Sequence, residues 1–166
     1  TADAIHANNI KRVIRALEFY HLSGKRISEH NEKEREKTSP YHFAYFVLTD
    51  ERPHLYANID KRVDLMIEQG LVDEVQKLKN MGFHRDMVSM QGLGYKEILD
   101  YLDGKTTLEE AIYIIKRETR HFAKRQLTWF RRERDVIWLD KQVYDYQNAK
   151  ILDSMINILK EKTIIN

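Results

Sequence analysis

His42-Phe43-Ala44-Tyr45-Phe46-Val47-Leu48 is a short aromatic and β-branched run, and it reads as a buried strand. It is the clearest strand in the chain, with Val136-Ile137-Trp138-Leu139 as a second, weaker candidate. Helical periodicity fills most of what lies between and around them. One or two strands cannot satisfy their own hydrogen-bonding edges, so further strand partners are expected outside this segment. The segment therefore reads as mainly α with one or two short strands, half of an α/β fold.

Working outward, Asp50 is placed to cap a helix through about Gln69 that buries Leu55, Ile59, Val63, Met66 and Ile67, with Gly70 as its stop. A second helix covers about Val72 to Met81. Phe83 to Met90 read as a loop, followed by a helix from Tyr95 to Leu102. Thr107-x-x-Glu110 is a capping box that opens a long helix, and Asp145 to Lys162 read as the terminal one. Upstream, Asn8 or Asn9 caps a helix to about Leu22 whose buried stripe is expected at Ile10, Val13, Ile14, Leu17 and Tyr20. Glu29 to Ser39 lack an apolar face and read as a solvated helix end and linker, with Pro40 as a boundary.

Composition excludes several classes. With 166 residues the chain suits one domain, or one domain with a small appendage. No cysteine is present, which removes disulfides and thiolate metal sites and fits a reducing, cytoplasmic setting. No apolar run approaches the roughly 20 residues that span a bilayer. No signal peptide is visible, and the first residue, Thr1, reads as part of something longer. The histidines show no spacing typical of a metal site.

The long helix carries the strongest functional signal. From Lys116 to Arg134 eight Lys/Arg stand against two Glu, in a chain whose net charge is +2. Arg117, Arg120, His121, Lys124, Thr128 and Arg131 share one side, and Ile112, Ile115, Phe122, Ala123, Trp129 and Phe130 share the other. A core face backed by an open cationic face implies a phosphate-bearing partner. Gln91-Gly92-Leu93-Gly94-Tyr95-Lys96 sets two glycines before a helix start, suited either to close approach by an anion or to a plain turn. The glutamine and tyrosine there suit single-stranded RNA better than a duplex. Gly104-Lys105-Thr106 imitates the end of a phosphate-binding loop, but Leu99 stands where that loop needs glycine. Arg62, near Asp50, Arg52 and Lys61, reads by pattern alone as a surface ion-pair residue.

These stretches together resemble a known family. Arg12-Val13-Ile14-Arg15-Ala16-Leu17-Glu18, Leu55-Tyr56-x-x-Ile59-x-x-Arg62-Val63-Asp64, Gly70-Leu71-x-x-Glu74-Val75, Gln91 to Glu97, and Lys116-x-x-Thr119-Arg120-x-x-Ala123-Lys124-Arg125-Gln126-x-Thr128-Trp129-Phe130-Arg131 follow in order. The chain resembles the C-terminal half of bacterial tRNA dimethylallyltransferases. The resemblance implies a P-loop α/β core with a helical insertion domain, residues 1–39 belonging to the insertion and linker and 40–166 to the core. It implies transfer of a dimethylallyl group from its pyrophosphate to N6 of adenine 37 beside the anticodon, with Mg2+ accompanying the donor. It implies tRNA contacts at Lys11, Arg12, Val13, Ile14 and Arg15, at Gln91, Gly92, Leu93, Gly94, Tyr95 and Lys96, and at Lys124, Arg125, Gln126, Leu127, Thr128, Trp129, Phe130 and Arg131. Arg62 matches the arginine on the donor pyrophosphate, which displaces the surface reading. Ala7, Asn9 and Asn58 depart from the usual pattern. The family's donor-phosphate loop and general base lie upstream, so the 166 residues alone are expected to be inactive. The chain is expected to be a monomer with no membrane contact. The competing readings are a helical RNA-binding module without catalysis and a structural domain whose basic face binds nothing.

Overall fold

The computed structural model describes residues 8–165, so Ala7 lies outside them. The chain divides into two compact units, Thr1–Phe43 and Ala44–Asn166.

In the first unit, α1 (Ile10–Ser23) begins at Asn9, whose side chain accepts from the Arg12 amide at 3.4 Å. It ends at Gly24, whose left-handed backbone returns its N–H to the Tyr20 carbonyl at 2.8 Å. The expected buried stripe is not buried: Ile10 is 66% and Leu17 64% exposed, and α1 has no buried residue. Its neighbour α2 (Ile27–Glu36) is too polar to cover it, and the contact between them includes the rings of Phe19 and His30, 5.0 Å apart. The stretch read as a helix end and linker is mostly this helix. Glu and Lys propagate a helix without an apolar face, and Arg26–Glu29 (3.8 Å) and Glu34–Lys37 (2.6 Å) add i,i+3 pairs.

The second unit runs β1 (Tyr45–Thr49), α3 (Arg52–Glu68), α4 (Leu71–Asn80), a 3-10 turn (Val88–Gln91), α5 (Tyr95–Leu102), α6 (Leu108–Phe130), β2 (Val136–Asp140) and α7 (Asn148–Glu161). β1 and β2 pair in parallel, Tyr45 opposite Val136 and Thr49 opposite Asp140. The two candidate strands thus pair with each other, through the helical crossover that parallel pairing requires. Among the described residues the sheet stops at two strands.

Asp50 does not cap α3. Glu51 holds that position, and Asp50 accepts the Glu51 amide at 2.8 Å from one residue further back. The Thr107–Glu110 box forms in both directions, at 3.2 and 3.1 Å. Val63, Leu71, Val75, Met90, Ile98, Leu99, Ala111 and Ile115 make the helical core.

The two-faced reading of α6 holds only for its first half. Ala111, Ile115, Phe122 and Trp129 fall near one line along the helix. Ala111 and Ile115 are buried, yet Phe122 is 49% and Trp129 55% exposed. A 23-residue helix is about 34 Å long and outruns the core that α3 and α5 build under it. Of the residues expected inside, Ala123 and Phe130 are half-buried, Phe130 edge-on to Tyr45 of β1 at 6.2 Å.

Candidate nucleic-acid interface

The α3–α6 seam organises the cations. Lys116 meets Asp64 at 2.6 Å, and Arg120 donates to both oxygens of Asp60 at 2.6 and 2.8 Å. These pairs fix an antiparallel register in which each step of four along α6 is a step of four back along α3. The next positions are Lys124 against Tyr56 and Thr128 against Arg52, and all four line one cleft. Acid lies opposite base in the first half of the seam; in the second, an aromatic and an arginine replace the acids.

The expectation that the α6 cations form one open face is therefore corrected. Lys116 and Arg120 are partly buried against carboxylates, and Arg117 pairs with Glu118 at 2.9 Å. Among the described residues no carboxylate pairs with Lys124, Arg125 or Arg131, although Arg125 lies over the Phe122 ring at 5.9 Å.

The cleft holds about 240 Å³ and sits at the carboxyl end of β1, where ligands of α/β sheets commonly bind. Thr49 and Asp50 come from the strand end, Arg52, Leu55 and Tyr56 from the start of α3, and Lys124, Leu127, Thr128 and Arg131 from the tip of α6. Asp50 is the one carboxylate in this lining, and its oxygens are taken. His54 Nδ1 lies 2.5 Å away, the Tyr146 hydroxyl donates at 3.1 Å and the Glu51 amide at 2.8 Å. Burial pushes the Asp50 carboxyl up, but the hydrogen bonds from His54, Tyr146 and Glu51 outweigh it and hold the group below the ordinary carboxylate range. Tyr146 reaches Asp50 from a turn in which Asp145 and Tyr146 both adopt left-handed backbone, at φ 50° and 58°. Non-glycine residues seldom do so.

Within the second unit, the structure does not bring Arg62 into this cleft. Arg62 is exposed on α3, about 160° around the helix from both Asp60 and Asp64, on the flank away from α6. Lys11, Arg12 and Arg15 are exposed on α1, Ile14 is 48% exposed, and Val13 is half-buried.

At the start of α5 the anion-binding reading fails. Gly94, at φ 104°, gives its N–H to the buried Glu97 carboxylate at 2.8 Å, so this helix start already holds an internal anion. Tyr95 is half-buried against the core and its hydroxyl donates to Glu74, so its ring is not a free stacking platform. Gln91, Gly92 and Leu93 stay exposed. Lys96 lines a larger cavity, about 500 Å³, with Arg85 and Lys105, but here each cation has an acid: Glu97 for Lys96, Asp100 for Arg85 and for Lys105. Gly104-Lys105-Thr106 forms no phosphate loop: Lys105 pairs with Asp103 at 3.1 Å and Thr106 donates to Glu110 at 2.7 Å.

Sequence reasoning missed Arg52, Tyr56, Asp60, Asp64 and Tyr146. A signal for the acids was present, since Asp60 and Asp64 repeat the i,i+4 spacing of Lys116 and Arg120. Nothing local marks Tyr146, which lies 96 residues from Asp50.

A parallel strand pair crossed over by helices, with unpaired cations at the carboxyl end of β1, describes part of an α/β protein. Residues 1–133 match the family model described as IPP transferase, and the chain belongs to that family. It is 60% identical over 164 residues to the tRNA dimethylallyltransferase of Lachnoclostridium phytofermentans, covering 99% of this chain and 52% of that protein. The full-length tRNA isopentenylpyrophosphate transferase of Bacillus halodurans superposes with a TM-score of 0.69 at 47% identity, covering 98% of this chain and 49% of that one. A eukaryotic dimethylallyltransferase described as acting on tRNA gives 0.75 at 27% identity, covering 95% and 42%. The chain spans about half the length of the curated relatives it matches.

Proposed function

We propose that this chain is the tRNA-gripping, C-terminal half of an enzyme that moves a dimethylallyl group from its pyrophosphate to N6 of adenine 37. The observation that carries the reading is the unpaired tip of α6 at the carboxyl end of β1, in a chain of the IPP transferase family. Lys124, Arg125, Gln126, Thr128, Trp129 and Arg131 are the exposed members of that tip. Lys124, Thr128 and Arg131 share the side that faces the ribose-phosphate track of the anticodon stem-loop, and Arg125, Gln126 and Trp129 reach the RNA from around the helix. Leu127 and Phe130 hold the tip in place rather than touching RNA. Gln91, Gly92, Leu93 and Lys96 add contacts to the RNA, as do Lys11 to Arg15 of the first unit. Residues 1–39 belong to the helical insertion and linker, and 40–166 to the catalytic core.

Arg62 serves the donor. Loss of pyrophosphate concentrates negative charge, and a fixed guanidinium stabilises it as it develops. The adenine must leave its stack to expose N6. Magnesium would balance the donor's charge, and among the described residues no group of three His, Cys, Asp or Glu is arranged to hold a metal ion. The protein acts as a cytoplasmic monomer, and no described helix is long and apolar enough to cross a membrane.

Filter binding of an anticodon stem-loop at rising salt tests the grip, since each neutralised phosphate adds about 0.7–0.9 to the log–log slope. A slope near zero would remove the RNA reading. The 166 residues alone, given donor and stem-loop, should bind RNA without transferring the prenyl group; transfer by these residues alone would sink the half-enzyme assignment.

A further inference from the structure

Building on that reading, we propose that the cleft at the carboxyl end of β1 is a phosphoryl-anion site in which Arg52 joins Lys124 and Arg131 as a third ligand, and that the Asp50–His54–Tyr146 network holds it open. Three cations from two helices line about 240 Å³, and among the described residues none of the three has an ion-pair partner. Like charges gathered in this way repel, and an anion supplied from outside relieves the repulsion. The acid nearest to hand is Asp50. Its carboxylate would quench the site if it turned toward Arg52, but His54, Tyr146 and the Glu51 amide fix both of its oxygens. The left-handed turn at Asp145 and Tyr146 delivers the Tyr146 hydroxyl to Asp50. Thr128 and Tyr56 also line the cleft; the Thr128 hydroxyl donates to the Lys124 carbonyl at 3.0 Å, and the Tyr56 hydroxyl is of a kind suited to hydrogen bonds with phosphoryl oxygens. The cavity beside Lys96 has as many cations but pairs each of them internally, so it is not the anion site. The anion is a phosphodiester of RNA or a free pyrophosphate, and both present the same oxygens.

The test titrates the protein with inorganic pyrophosphate and, separately, with an RNA stem-loop. Arg52→Gln should weaken at least one arm by about tenfold, as expected for loss of a charge-assisted hydrogen bond, while Lys61→Gln, the same charge change outside the cleft, should change either by less than about twofold. Arg52→Lys should retain most of the affinity, and thermal melts show that each variant is folded. A loss in the RNA arm alone assigns a phosphodiester; a loss in the pyrophosphate arm alone assigns the free anion. Equal behaviour of Arg52→Gln and Lys61→Gln in both arms overturns the proposal, and Lys124→Glu still losing RNA in that case leaves the tRNA-gripping reading intact. Pyrophosphate binding that depends on Arg52, with no RNA binding at all, would instead keep this site and remove that reading. For the network, Tyr146→Phe should weaken the affected arm and Asp50→Asn added to it should restore it. Failure of that rescue overturns the network's role, because a merely structural loss would not be repaired by removing a charge.

Discussion

The root and the tip of the α3–α6 seam carry similar cations in similar spacing, yet only one of them can serve a ligand. At the root, Lys116 and Arg120 meet Asp64 and Asp60; at the tip, the same register sets Lys124 and Thr128 opposite Tyr56 and Arg52, which line one cleft with them. The root is also where α6 has a core beneath it, through Ala111 and Ile115, whereas Phe122 and Trp129 continue the same line in the open. A count of basic residues treats both halves alike. What separates them is whether the facing helix returns a carboxylate, and that choice turns the same side chains into either a structural clasp or a site.

The comparison breaks most sharply on stability. Ile115→Ala at the root should cost about 2–5 kcal/mol, the range for a buried aliphatic truncated in a packed core. Trp129→Ala on the same stripe should cost under about 1 kcal/mol, because a 55% exposed ring has little core to vacate. Urea melts compare the two, and equal losses would mean that the stripe is one continuous core.

Extending the root pattern to the tip should be nearly as damaging to binding. Arg52→Asp with Tyr56→Asp places acids opposite Thr128 and Lys124, and RNA affinity should fall about a hundredfold at moderate salt. The reverse change, Asp60→Asn with Asp64→Asn, frees Lys116 and Arg120 and should tighten RNA binding and steepen its salt dependence. Indifference of RNA to both doubles would remove the seam from the interface.

A smaller effect separates Arg120 from Lys124. Arg120→Glu sets a negative charge against Asp60 in place of a two-pronged, partly buried pair and should cost about 1–2 kcal/mol of stability. Lys124→Glu, with no described carboxylate partner to lose, should stay within about 0.5 kcal/mol while weakening RNA binding. Thermal melts of both variants decide this, and matching losses would show that Lys124 is as embedded as Arg120.

The elements themselves were legible in the sequence because their signals are local. The Thr107–Glu110 box, the stop at Gly70, the helix from Tyr95 to Leu102 and the two apolar strands each announce themselves within a few residues. Lys124 to Arg131 were visible as a basic run for the same reason. What stayed hidden depends on pairing at a distance: Asp60 is 60 residues from Arg120, and Tyr146 is further still from Asp50. Amphipathicity also says which side of a helix is apolar, not whether anything lies under it, and so it misplaced Ile10, Leu17 and Trp129 inside a core.

The smallest expected effect concerns the acid that the tip does contain. Asp50 is held below its ordinary value in the folded protein, so its ionised form favours folding wherever the pH exceeds its unfolded value near ~4. That contribution drains away as the pH falls through the lower folded value. Tyr146→Phe removes one of the donors and brings the folded value back toward the ordinary one. The variant should therefore be less stable than the parent by a constant increment near neutral pH, and the gap should narrow on acidification and close below both values. Denaturant melts at pH 7 and at about pH 3 measure the gap. If it persists unchanged in acid, the hydroxyl acts through packing rather than through Asp50, and the tip would then have an acid free to meet its cations, as the root does.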